Sequence, residues 1–205
     1  MNTIEQLRSA LLTHQPRRIS AALPEAGILV PVTRDTAQPK IILTRRAEHL
    51  NTHKGQVAFP GGKRDETDPS LSFTALRECH EEIGVPPDQV ELLGALSQVI
   101  SLHGIRVSPF VGLIDDSYPL VANPDELDSI FKVPVQFFRE AEPVRRDKMT
   151  YKGMALSVPS YHFRDQGETY EIWGLSAIVV VELMNLAFGT QISIFDEPYK
   201  LAPTS

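Results

Sequence analysis

Residues 55–85 constrain this chain more than any other stretch. The segment opens with the apolar run Gln56-Val57-Ala58-Phe59, a short strand, and turns at Pro60-Gly61-Gly62. An acidic loop carrying Asp65, Glu66 and Asp68 follows, and then a helix closed at both ends. Asp68 is the expected N-cap, because its carboxylate can accept from the free N–H groups of the first turn, and Pro69 suits the first helical position. Gly84 is placed to end the helix in the left-handed conformation, and Pro86 and Pro87 keep it from resuming. Phe73, Leu76, Cys79 and Ile83 recur at three- and four-residue steps and form an apolar stripe. At about 100° per residue, Glu78, Glu81 and Glu82 group on the other side, with Arg77 four residues before Glu81.

Acidic residues opposite an apolar stripe are ordinarily a solvated helix face. Three features point elsewhere. Glu78 and Glu82 are like charges four apart, which destabilises a helix by a few tenths of a kcal/mol unless something positive binds. Asp65, Glu66 and Asp68 add negative charge just upstream. The Gly61-Gly62 turn lets backbone approach a ligand closely. Clustered carboxylates are hard ligands suited to Mg²⁺ or Mn²⁺, ions that also bind substrate phosphates. The pattern predicts a divalent-cation site for phosphate chemistry.

The rest of the composition narrows the field. The net charge of −6 and pI near 5.5 lack the basic footprint of a nucleic-acid binder. One cysteine, Cys79, excludes an internal disulfide, and its place on the apolar stripe favours packing over nucleophilic chemistry. No basic start leads into an apolar run, as a secretory signal would. The apolar residues 174–188 are too few to cross a bilayer. The C-terminal Ala-Pro-Thr-Ser is not a peroxisomal address. The expectation is a cytoplasmic protein with neither membrane nor nucleic-acid partners.

At 205 residues the chain reads as one domain with appendages: an N-terminal helix and linker over 1–24, a main domain over 25–190 and a mobile tail over 191–205. Ile4, Leu7, Leu11 and Leu12 mark the first helix, with Thr3 as cap and Gln6 completing a capping box. That helix packs on the main body or on a second subunit, the latter making a homodimer. Residues 27–32 and 40–44 read as hairpin partners. Residues 90–100 read as one strand weakened at Gly94, pairing with 105–114, where Pro109 suggests an edge or a bulge. Asn123 to Glu126 begin a short helical turn, and 131–135 form a brief strand. Gln166-Gly167 is a hairpin turn, and 174–188 a helix covering one sheet face. His49 and His53 default to the surface, as do Arg145, Arg146, Lys148 and Lys152. Strands around a central helix, with a late apolar helix, fit a mixed sheet between helices.

The quoted residues also resemble a known family. Arg77-Glu78-Cys79-His80-Glu81-Glu82-Ile83-Gly84-Val85 is similar to the second half of the Nudix box, Arg-Glu-U-x-Glu-Glu-x-Gly-U with U aliphatic. Counted from Gly62, Asp68 stands where that box has a Glu, and eight residues rather than seven separate it from Arg77. The coenzyme A pyrophosphatase branch of the Nudix hydrolases carries this extra residue. Its preceding motif, Leu-Leu-Thr-x-Arg-(Ser/Ala)-x3-Arg-x3-Gly-x3-Phe-Pro-Gly-Gly, is resembled by Ile42-Leu43-Thr44-Arg45-Arg46-Ala47, Gly55 and Phe59-Pro60-Gly61-Gly62, with Asn51 in place of its second Arg. The resemblance implies an α/β/α sandwich with a mixed central sheet. It implies hydrolysis of coenzyme A or its derivatives to 3′,5′-ADP and 4′-phosphopantetheine or its acyl form. Mg²⁺ or Mn²⁺ would be held by Glu78, Glu81 and Glu82. Arg77 would orient the carboxylates, and Glu126 is a further acidic candidate. Arg46, with Gly61, Gly62 and Lys63, would meet the substrate phosphates. Hydrolysis of ADP-ribose or a dinucleotide, or a non-catalytic nucleotide-binding module, are the alternatives.

Overall fold

The computed structural model describes residues 1–50, 54–151 and 154–195. Asn51, His53 and Lys152 lie outside the described residues.

The frame is a mixed sheet centred on β1 (Glu25–Thr33). β1 pairs antiparallel with β2 (Lys40–Arg46) and β4 (Gly61–Lys63), and parallel with β7 (Arg106–Ile114), in register from Glu25 opposite Arg106 to Thr33 opposite Ile114. β2 carries β3 (Val57–Ala58) and β8 (Leu127–Pro134); β7 carries β5 (Glu91–Ala95) and β6 (Val99–Ile100). A second sheet follows, β9 (Arg145–Tyr151), β10 (Met154–Asp165) and β11 (Glu168–Ile172), with β10 in the middle.

β1 is apolar on both faces because both are covered. Successive strand side chains point to opposite sides. Ile28, Val30 and Val32 enter one core with Leu7 and Leu11 of α1 (Thr3–Thr13) and with Leu183 and Met184 of α4 (Gly174–Phe188). Leu29 enters the other core, beneath Ala75, Cys79 and Ile83 of α2 (Leu71–Ile83). The result is the expected sandwich of helices about a mixed sheet. At Gly27 an added Cβ would fall 2.3 Å from the carbonyl of Leu71, so this glycine lets α2 lie directly on β1.

Several local expectations are corrected. The cap of α1 is Asn2, not Thr3. The Asn2 side chain accepts from the Glu5 N–H, and the Glu5 carboxylate accepts from the Asn2 N–H. Leu12, assigned to the apolar face, is exposed. Residues 90–100 hold two strands rather than one, and Pro109 lies inside the sheet, between β1 and the β5–β6 side. The Pro109 carbonyl accepts from Leu96 in the gap between β5 and β6. In an extended strand a residue's N–H and C=O point the same way, so its missing donor faces that gap. Asn123 to Glu126 make one turn that runs straight into β8, which starts at Leu127 rather than 131 and ends at Pro134. The sequence reading had no counterpart for α3 (Val135–Glu140) or for the basic strand β9. Gln166 and Gly167, both at positive φ, form the expected β10–β11 turn. From Gly189 to Phe195 the chain is held against the body: Ser157 N–H donates to Ile194, and Arg146 to the Ser193 carbonyl.

Candidate active site

α2 does begin and end where a closed helix should, but its cap is Ser70, whose hydroxyl accepts from Phe73 N–H at 3.1 Å. Gly84 closes it at φ 75°, as expected. Asp68, the expected cap, is used elsewhere. It is 2% exposed and accepts two parallel bonds from Arg77, Nε to Oδ1 at 3.1 Å and Nη2 to Oδ2 at 3.0 Å. The Thr74 hydroxyl and Asp65 N–H complete its set. The guanidinium holds the Asp68 carboxyl well below the usual range. Phe73, assigned to the apolar stripe, is 43% exposed; the buried seam is Ala75, Cys79, Glu82 and Ile83. Burial pushes the Cys79 thiol up to about 12, in keeping with a packing role.

The three helix glutamates do not share one environment, which corrects the expectation of a common patch. Glu81 and Glu82 are one residue apart and so about 100° apart around the axis, with Glu78 between them. Glu81 faces solvent and pairs with Arg77 at 3.0 Å. Glu78 is largely covered; Arg77 reaches it at 2.9 Å, and its carboxylate lies against Gly62, where an added Cβ would come within 2.4 Å. Glu82 is 3% exposed, and Gly61 N–H donates to it at 3.3 Å. Gly61 and Gly62 form β4 rather than a turn. Their missing side chains make room for β1 backbone and for Glu78.

Burial pushes Glu82 up to about 8, aided by the charges of Glu126 and then Glu78, and opposed by the Gly61 N–H and Arg46. Glu78 is raised too, first by burial, then held back by Arg77, with Glu81 and Glu126 pushing it up. Glu126 is half-buried at the end of the turn before β8, and Asn123 Nδ2 donates to it at 3.3 Å. Glu78, Glu82 and Glu126 thus sense one another's charge although they come from two elements. Among the described residues no three His, Cys, Asp or Glu side chains are grouped, as they stand, so that they could hold an ion.

Arg46, Gly61, Gly62 and Lys63 all line one cavity of about 520 Å³ beside these carboxylates. Arg46 sits at the end of β2, its Nε buried with no hydrogen-bond partner. Arg45 is turned away, to Glu168 and the face of Tyr170. His49 is exposed and contacts the Asp125 carbonyl. The sequence reading missed the apolar wall opposite: Val99, Leu102, Met149, Trp173, Leu175 and Ile178. These residues come from three separate segments, and no spacing ties them together.

A family model described as the NUDIX domain matches residues 23–150. An uncharacterized Nudix hydrolase, NudL, of Cronobacter sakazakii is 38% identical over 179 residues, covering 86% of this chain and 89% of its own. The like-named protein of Salmonella newport is 38% identical over 172 residues, 78% of this chain and 80% of its own. Among solved structures, a MutT/nudix family protein from Enterococcus faecalis superposes over 89% of this chain and 68% of its own, with a TM-score of 0.51 and 16% identity, a likeness of fold.

Proposed function

The chain belongs to the Nudix family of pyrophosphohydrolases, and from that premise we propose that it hydrolyses coenzyme A, or a thioester or disulfide of it. The products are 3′,5′-ADP and 4′-phosphopantetheine or its acyl form. Nudix hydrolases use divalent metal ions and act on small nucleotide substrates. One observation carries the reading. Glu82 is a carboxylate buried to 3% exposure with Glu78 and Glu126 as its charged neighbours, an arrangement a solvated helix face does not produce.

The donor set fits Mg²⁺ or Mn²⁺: hard carboxylate oxygens, two of them with raised proton affinity because negative charge is crowded where water is scarce. Glu78, Glu82 and Glu126 would hold the ion, with Glu81 at the solvent edge. A bound ion neutralises phosphate oxygens and lowers the pKa of water. The side chains do the remainder. Arg77, anchored through Asp68, fixes the direction of Glu78 and Glu81. Arg46, with its unpartnered Nε, is suited to a phosphate oxygen. A carboxylate of the set, Glu126 among them, takes the proton from the attacking water.

Support for coenzyme A over other nucleoside diphosphates comes from the motif of residues 42–62. It brings Arg46, Phe59, Gly61 and Gly62 to one cavity whose far wall is apolar, against which the methyl and methylene groups of an amide-bearing pantetheine arm can pack. The test is incubation with coenzyme A and Mn²⁺, with products identified by mass, beside ADP-ribose, a dinucleotide and the analogue lacking the 3′-phosphate. Masses of 3′,5′-ADP and 4′-phosphopantetheine are expected. Turnover of ADP-ribose or the dinucleotide with coenzyme A untouched would replace the reading with the broader one.

A further inference from the structure

β8 carries one residue more than its pairing with β2 needs. From Lys40 opposite Pro134 to Arg45 opposite Ser129 the two strands match one to one, and then Arg46 faces Leu127. Asp128 is the extra residue, which makes a β-bulge. Its effect shows in the packing. Phe131 and Val133 lie in the core shared with α1 and α4, and strict alternation would put Leu127 there with them. Leu127 lies instead in the core beneath α2, on the side of Ile130. The bulge turns the head of β8 over, and Glu126 stands next in the chain, where Glu78 and Glu82 sense its charge.

Two sets of bonds hold Glu126 there. On the α2 side, the N–H groups of Val121 and Asn123 donate to carbonyls left over at the helix end, Ile83 at 3.0 Å and Glu82 at 2.9 Å. Asn123 Nδ2 then reaches the Glu126 carboxylate. On the β2 side, the three residues after Arg46 each bind the turn. Ala47 N–H donates to the Glu126 carbonyl at 2.9 Å, Glu48 N–H donates to Asp128 Oδ2 at 3.1 Å, and His49 Nε2 lies 3.2 Å from the Asp125 carbonyl. Arg46 is fixed in turn, its N–H donating to the Gln56 carbonyl at 3.0 Å. The bulge and this clamp set the spacing between Arg46, in the cavity, and Glu126, beside the helix glutamates. Asp128 is itself exposed and stands outside the cavity lining.

We propose that Asp128 is a positioning residue: as the bulge residue, and as the acceptor for the loop after Arg46, it fixes Glu126 where it can share a divalent ion with Glu78 and Glu82. This rests on the reading of those carboxylates as the holders of the ion. What the clamp takes from Asp128 is an acceptor oxygen rather than a charge. Losing a group that orients a metal-holding side chain lowers metal affinity by about 10–100-fold.

The test follows Mn²⁺ binding to metal-free protein by titration calorimetry without substrate. Beside it, kcat and KM for coenzyme A are measured across a range of Mn²⁺ concentrations. Asp128→Ala should weaken Mn²⁺ about tenfold or more by both measures, while KM for coenzyme A at saturating Mn²⁺ matches the wild type. Asp128→Asn, which keeps an acceptor oxygen, should restore the affinity. Glu126→Gln sets the scale, with a loss at least as deep as that of Asp128→Ala. Asp128→Gly, which also lacks the acceptor and suits a bulge, serves the same end should the alanine variant not fold. A lower Tm with Mn²⁺ affinity unchanged makes the role of Asp128 merely structural and overturns the inference. Equal losses in Asp128→Ala and Asp128→Asn overturn it too, since charge alone would then explain them. Mn²⁺ affinity untouched by Glu126→Gln overturns the reading of Glu126 and the inference with it. The expected Mn²⁺ pattern in a protein that leaves coenzyme A intact overturns the coenzyme A reading and sustains the inference.

Discussion

Glu82 is held where a carboxylate is hard to ionise, and this has a sign in solution. Its ordinary value is 4.5, and in the fold it stands at about 8. Between those values the folded protein keeps a proton that the unfolded chain has released. Stability from this group is thus fully present below pH 4.5 and is lost as pH rises through 8. Melting curves of EDTA-treated protein should fall across that window. Glu82→Gln should raise Tm at pH 8.5 by several degrees, since 1 kcal/mol moves a domain of this size by about 2–4 °C. Mn²⁺ should raise Tm more at pH 8 than at pH 6, because it competes with the proton. A pH-independent Tm in the wild type would show that the carboxylate is not crowded as described. The same substitution, and Glu78→Gln, should each lower turnover at least about 100-fold, the scale of one lost electrostatic contact to the reacting group, with the fold intact by circular dichroism. Asp68 behaves oppositely. Arg77 holds its carboxyl low, so its contribution is present above its ordinary 3.8 and is lost on acidification. Arg77→Ala strands a buried charge and should cost about 3–5 kcal/mol in urea unfolding.

At the scale of the element, α2 separates what a sequence states from what it leaves open. Its span, its glycine stop and its acidic character can be read locally, since capping and periodicity act over a few residues. Its start cannot, because Asp68 and Ser70 are both competent caps. The decision falls to Arg77, nine residues on from Asp68, whose guanidinium claims the buried carboxylate. The roles of the glutamates follow the same logic, with helix rotation against β1 turning Glu82 inward and leaving Phe73 outside. Two substitutions distinguish the helix's stability from its chemistry. Ser70→Ala should cost about 1 kcal/mol and leave kcat unchanged. Gly62→Ala places a methyl within 2.5 Å of the Glu78 carboxylate, the mobile end of a side chain. It should cost less than about 1 kcal/mol of stability, yet lower kcat tenfold or more by displacing Glu78. Equal loss of stability in the two variants, with kcat unchanged in both, would remove Glu78 from the mechanism.

Across the whole molecule, the carboxylates proposed for catalysis and the cavity's far wall lie on opposite faces of the sheet, and only one of the two was legible. α2 announces itself through a contiguous motif. The wall is assembled from Val99, Met149, Trp173 and Ile178, whose proximity follows from how β6, β9 and α4 pack, and no local pattern encodes it. α1 was legible as a helix, but its docking was not. Leu7, fully buried, joins the core beneath α4, and Leu11 meets Gly94 of β5. This separation of faces gives a further expectation. Leu7→Ala removes buried methyl groups far from Glu78 and Glu82, so it should lower unfolding free energy by about 2–5 kcal/mol. Its kcat at 25 °C should match the wild type while the protein stays folded, because the core under α2 is a different one. Urea unfolding beside kinetics on coenzyme A decides it, and a kcat loss as deep as that of Glu78→Gln would mean that the two faces are not independent.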